Sequence, residues 1–458
     1  MSVGGRLRDA VALFDVFIGN KKKQNCLVLT KIITTFATMR RVIYICLACM
    51  ALSIAMTSCK KDFFDKDTAT EITKATFHND TVDAGHTWSL LKEDLIRVTA
   101  NVTGVQRIDL LTANPYVSDK AEVLNTASVT EGEEVLLMYS SPVINDSIYA
   151  DAVTRSGNHV VKAIAVGTQT TDFTTLNTKN SGTFKDINAQ EVYYCYCNTF
   201  PKPSTTWDFN DCVFRISKEV IDDYTLRLNV TLEAMGTLTK TAAAIRLAGV
   251  EYNDVESVTI VGNRSFVKNK DIERTYITEE DLLLKGLDGS AVINLFDDGH
   301  MAFYSRVDQT GALYRYFYNV NHTVNTTYAQ FASPTVNFDI KFKQKDIAHD
   351  ITWTSIDPFI VCAYSAVLVE IHKYKYKLNE VLFEYLGDPM NYRNSFTWAL
   401  EIPYSWFRYP LEGNAMGSLK GKGVYGTYST IGHSFGEWGA DRTQSQDWYL
   451  YPTSSMVY

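Results

Sequence analysis

Cysteine is scarce in this 458-residue chain: there are 8, and the four beyond Cys59 show no CxxC pair and no zinc-ligand spacing. The 8 His show no HExxH or related pattern, so the commonest metallohydrolase signatures are missing. Positive charge is in deficit, with 44 Lys and Arg against 52 Asp and Glu. Neither nucleic acid nor an anionic membrane surface is therefore the expected partner. Glycine and proline, at 25 and 10, are unexceptional. The apolar run Val42 to Ala55 is 14 residues long, too short to span a bilayer comfortably.

What is present begins with that run. Arg40 and Arg41 precede it and Met56-Thr57-Ser58 lead from it to Cys59, the layout of a secretory signal. Met39 is then the expected start and residues 1–38 an over-extended beginning. The small residues before Cys59 resemble the lipobox of bacterial lipoproteins, with Met56 where Leu is usual. The resemblance implies a signal peptide over 39–58, a diacylglyceryl thioether and N-acylation (palmitate or similar) at Cys59, and anchoring in the outer membrane. Lys60-Lys61-Asp62 resembles the charged tag of lipoproteins exported to the cell surface. Buried acyl chains, at about 0.8 kcal/mol per CH₂, make such anchoring effectively permanent. Loss of residues 1–58 removes 8 basic and 2 acidic residues and leaves a net charge of −14. Residues 59–81, polar and rich in Lys, Asp and Thr, read as a tether. Asp67-Thr68-Ala69, Asp80-Thr81-Val82 and Asp146-Ser147-Ile148 resemble short bacterial O-glycosylation sites.

Beyond the tether the chain reads as all-β. Ile96, Val98, Ala100 and Val102 alternate with Arg97, Thr99, Asn101 and Thr103, a half-buried strand. Similar runs at 107–111, 134–139, 147–153 and 160–166, punctuated by turn residues, predict an Ig-like sandwich over 82–167. A Thr-, Asn- and Gly-rich stretch at 168–188 reads as a linker. Over 189–458 the clearest strands are Leu226–Ala234 and Val336–Phe342. They predict a larger sandwich or jelly-roll unit with long loops. Lys373, Lys375 and Lys377 alternate with Tyr374 and Tyr376, a pattern that blunts an exposed edge. Cys195 and Cys197 share a strand face and cannot easily pair with each other. One of them could meet Cys212; buried free thiols, Cys362 included, are the other reading.

Asp208-Phe209-Asn210-Asp211 ahead of an apolar strand resembles the signature of the LruC-domain proteins, mostly surface lipoproteins of unknown function. The resemblance continues through 226–250, 294–300, 357–360, 370–372, 398–403 and 447–449, covering about residues 186–452. The family commonly carries a Glu-Asp pair where this chain reads Tyr196-Cys197-Asn198.

Asp208 and Asn210 should face one side of an extended chain and Asp211 the other. Joined by Asp297 and Asp298, they could form an oxygen-rich calcium site that stiffens loops. Val213 occupies the position where an EF-hand needs Gly. Alternatively these residues cap turns, with Asp298-Gly299 turning a hairpin between 292–296 and 301–304. Gly432-His433-Ser434-Phe435-Gly436 matches a nucleophile elbow, yet no His follows it to complete a triad. Glu370, Asp388 and Glu401 are candidate glycosidase carboxylates. The expected role is non-catalytic: adhesion to a host or neighbouring cell, or glycan capture on Trp398, Trp406, Trp438 and Trp448.

Overall fold

The computed structural model describes residues 83, 85–174, 182–198, 207–262, 266, 281–303, 316–364, 367–373, 397–417, 423–426 and 432–458. The start over 1–38, the signal at 39–58, Cys59, the tether, the first two glycosylation-like sites, Lys375, Lys377 and Asp388 lie outside these residues. No helix among the described residues is long and apolar enough to cross a membrane.

The chain builds two β-sandwiches. The first uses β1 (Leu91–Asn101), β2 (Val105–Leu111), β3 (Glu122–Ser128), β4 (Glu134–Pro142), β5 (Ser147–Thr154), β6 (His159–Ala165), β7 (Thr170–Thr174) and β8 (Asn188–Ala189). A β4-β1-β7 sheet faces a β6-β5-β2-β3-β8 sheet. Period-two burial on β1 drives this packing: Ile96, Val98 and Ala100 go inward against Leu110, Leu137, Ile148 and Phe173, while Arg97 and Asn101 face water. Each fully buried aliphatic or Phe side chain contributes roughly 1.5–3 kcal/mol. The stretch read as a linker holds β7, which pairs parallel with β1 and places Phe173 wholly inside.

The second sandwich follows with β9 (Glu191–Tyr196), β10 (Cys212–Asp222), β11 (Thr225–Ala234), β12 (Thr241–Glu251), β13 (Val255–Val261), β14 (Leu283–Lys285) and β15 (Ser290–Phe296). Next come β16 (Phe317–Tyr318), β17 (Tyr328–Ala329), β18 (Thr335–Phe342), β19 (Ile356–Tyr364), β20 (Val367–His372) and β21 (Ala399–Ile402). A β13-β18-β11-β10-β9-β21 sheet packs on a β14-β15-β12-β19-β20 sheet. On the first sheet, Leu226, Leu228, Val230 and Leu232 fill the core. Its outer face carries ionic pairs across strands: Arg227 holds Asp339 at 2.7 and 2.9 Å, and Arg215 lies 2.5 Å from both Glu191 and Glu233. The second sheet is apolar on both faces. Ala243 and Ile245 point to the main core, and Ala242 and Ala244 join Val292, Phe359 and Val361 in a separate cluster. That explains the unbroken Ala242-Ala243-Ala244-Ile245 run.

Among the described residues, three short α-helices punctuate the loops: α1 (Gly299–Phe303), α2 (Ile347–Asp350) and α3 (Phe435–Ala440). The hairpin expected around Asp298-Gly299 is instead β15 running into α1. Gly299 lies so close to Met235 that a Cβ there would sit 2.6 Å from its Sδ, and the chain coils over that contact. Lys373 corrects another expectation. It is 3% exposed, and its Nζ donates to Glu401 Oε1 at 2.7 Å and to the Trp353 carbonyl. The edge pattern therefore fails at its first lysine, which serves as counter-ion to a carboxylate that β21 carries into the interior.

The segment before β1 belongs with the second sandwich. Leu90 N–H donates to the Glu401 carbonyl, and Glu401 N–H to that of Trp88. His86 stacks on Trp88 and its Nε2 meets the Trp438 carbonyl at 3.0 Å. Asp83 takes Arg442 at 2.8 Å.

Candidate functional site

The Asp208–Asp211 box lies immediately before β10, and it is not extended. Phe209 has φ of +50°, a left-handed conformation that costs a bulky residue about 1–3 kcal/mol and needs firm surroundings. Its ring is 1% exposed and packs near Phe435, centroids 6.3 Å apart. With the chain reversed at Phe209, the Asp208 and Asp211 carboxylates meet on one side instead of pointing apart. One ligand atom from each lies within 4.8 Å of the other and of Cys197 Sγ, and all three residues are buried.

Backbone groups hold both aspartates. Asn198 N–H donates to Asp211 Oδ2 at 2.7 Å, and Gly413 N–H to Asp208 Oδ2 at 3.0 Å. The Cys197 thiol also hydrogen-bonds Asp211. Asn210 is fully buried, and its Nδ2 donates to the Pro410 carbonyl at 3.1 Å. Its side chain also bonds Glu412. Burial pushes the Asp208 carboxyl up to about 6. Burial, then the charge of Asp208, pushes Asp211 up to about 8. Burial, then Asp208 and Asp211, pushes Glu412 up to about 8. Among the described residues, no Lys or Arg forms an ion pair with these three acids.

Asp297 and Asp298 do not join them. Lys240 holds Asp297 at 2.5 Å, and Asp298 Oδ1 lies 2.6 Å from His300 Nδ1. They stand in the next layer out: His300 Nε2 meets the Thr237 carbonyl at 2.6 Å, and Thr237 Oγ1 accepts from Asn198 Nδ2 at 2.7 Å. Of the five residues singled out in the sequence, Asp208, Asn210 and Asp211 thus lie together, beside Cys197 and Glu412, which the sequence reading did not include. Cys197 carried a signal, since it falls where the resembling proteins have acids. Glu412 lies far along the chain with no local pattern to mark it.

Gly236 closes one wall. A Cβ on it would sit 2.3 Å from Asn210 Oδ1 and 2.6 Å from the Asn210 carbonyl oxygen. Gly236→Ala is therefore expected to cost about 1–3 kcal/mol by overpacking a backbone that cannot recede; a thermal melt reads the loss.

The remaining candidates are occupied structurally. Ser434 is the N-cap of α3, its hydroxyl tied to Glu437 in a capping box, so the elbow motif is a helix start. Glu401 is committed to Lys373, and Glu370 lies 3.3 Å from His372. Cys195, Cys197, Cys212 and Cys362 are all buried free thiols. Trp398, Trp438 and Trp448 are core residues at 5%, 1% and 0% exposure. Trp406 is 48% exposed, but Lys120 Nζ from the first sandwich covers its face at 4.5 Å. Three of the four rings expected to stack on sugars instead pack the protein.

Residues 224–449 match the profile of a family described as a domain of unknown function (DUF4842). The match falls within the stretch read as resembling LruC-domain proteins and bears that description rather than the LruC name. It includes Glu412 and stops short of Cys197, Asp208 and Asp211. A solved structure of a candidate lipoprotein from Bacteroides ovatus is similar over 78% of this chain and 99% of that chain, at 14% identity and a TM-score of 0.47. No curated protein matches the chain.

Proposed function

We propose that the protein is a lipid-anchored, non-catalytic binding protein of the outer membrane, displayed on the cell surface, whose partner is a protein or glycan of a host or neighbouring cell. The observation that carries this reading is Cys59 at the end of the Val42–Ala55 apolar run, preceded by Arg40-Arg41 and followed by a polar tether. Two β-sandwiches suit presentation at the end of such a tether. The groups with a hydrolytic precedent, Ser434, Glu370 and Glu401, are engaged in structural contacts, which favours binding over catalysis. With Trp398, Trp438 and Trp448 buried, a protein partner fits better than a sugar stacked on those rings.

The test is metabolic labelling with an alkyne fatty acid in a bacterial host, combined with detergent phase partition. The wild-type chain should take the label and enter the detergent phase, and Cys59→Ser should do neither. An unlabelled, aqueous wild-type protein would refute the anchor. Protease shaving of intact cells then reads display on the surface.

A further inference from the structure

We propose that Cys197, Asp208 and Asp211 form a binding site for a borderline divalent transition-metal ion, of which zinc is the type, with Glu412 beside it. The inference stands apart from the anchoring argument and uses different residues.

Three observations carry it. The first is the donor set: a thiol sulfur and two carboxylates within 4.8 Å of one another, all buried. The second is orientation. Each aspartate has one oxygen fixed by a backbone N–H, the kind of outer support that aims the remaining donor atoms at an ion. The third is unmet polarity around the cluster. Asn210, 0% exposed and between the two aspartates in sequence, has an Oδ1 with no hydrogen-bond partner. Glu412, which bonds the Asn210 side chain and faces both aspartates, has an Oε2 that is covered and equally unpartnered. Covered polar oxygens without partners have lost their hydration with nothing in return. A cation among them removes that cost.

The sulfur decides which cation. Calcium takes 6–8 oxygen ligands, and the two further carboxylates that would have supplied them, Asp297 and Asp298, are held by Lys240 and His300. Thiolate with carboxylate in a four-coordinate arrangement suits zinc and its neighbours in the first transition row. On binding, the Cys197 thiol proton and any carboxyl proton leave to solvent, since only the deprotonated groups are ligands.

The experiment uses the full chain, reduced and stripped of metal, titrated with cobalt(II) chloride as a spectroscopic stand-in for zinc. One equivalent should produce a sulfur-to-cobalt charge-transfer band in the near ultraviolet. Zinc should abolish the band, and excess calcium should leave it. Cys197→Ser should lose the band, and Asp211→Asn should weaken binding at least ~10-fold. Cys195→Ser should retain both. Circular dichroism shows whether each variant folds, and the wild-type spectrum decides the matter even if one does not. Absence of the band, its survival in Cys197→Ser, or displacement of cobalt by calcium would each overturn the proposal.

Discussion

Lys373→Met is expected to destabilise the protein by about 3–5 kcal/mol, measured by denaturant titration. The ammonium and the Glu401 carboxylate are 1% and 2% exposed at the side chain and 2.7 Å apart. The Lys373 Nζ also bonds the Trp353 carbonyl and sits 5.7 Å from the Tyr194 ring centroid. Removing the cation leaves a carboxylate in the interior, and that desolvation outweighs the modest net worth of the pair. The double variant Lys373→Met with Glu401→Met should recover most of the loss, because two apolar side chains carry no such penalty. A double variant no better than the single would mean that packing, not charge, sets the cost.

Trp448→Ala should cost a similar amount, about 3–5 kcal/mol. Trp448 is 0% exposed and sits at the centre of an aromatic group. Tyr425, Phe435 and Trp438 lie 4.8, 5.2 and 5.6 Å away between ring centroids. Truncation opens a cavity whose walls are rings braced from several loops, so little collapse is available. Trp448→Phe should cost much less. The indole Nε1–H has no acceptor among the described residues, so that variant trades some packing for the removal of an unmet donor. Equal losses for the two variants would contradict this account.

The strands were legible wherever one face is buried and the other wet. Leu226–Ala234 and Val336–Phe342 alternate cleanly because Arg227 and Asp339 pair on the outer face of their sheet. Legibility failed where local pattern and tertiary contact disagree. β7 has little apolar content apart from Phe173, so its composition resembled a linker. Trp398, Trp438 and Trp448 lie in loop-rich sequence, where nothing local shows that the loops fold onto one another. At the candidate site, the Asp-Phe-Asn-Asp box was visible as chemistry, while its shape was not. An extended chain separates Asp208 from Asp211; the positive φ of Phe209, imposed by the pocket around its ring, brings them together. Asp297 and Asp298 looked equally suitable because Lys240 lies far along the chain, and because the turn that sets His300 against Asp298, two residues away, was read as a hairpin.

The clamp ahead of β1 has a mechanical consequence. Tension applied to the chain upstream of Asp83 meets the Arg442 ion pair first, then the two backbone hydrogen bonds that join Trp88 and Leu90 to Glu401. Force is thus delivered to the larger sandwich before it reaches β1, and the smaller module is shielded although it comes earlier in the chain. Under flow or traction, the first structure to yield should be this short latch, releasing a few residues of slack while both sandwiches stay closed.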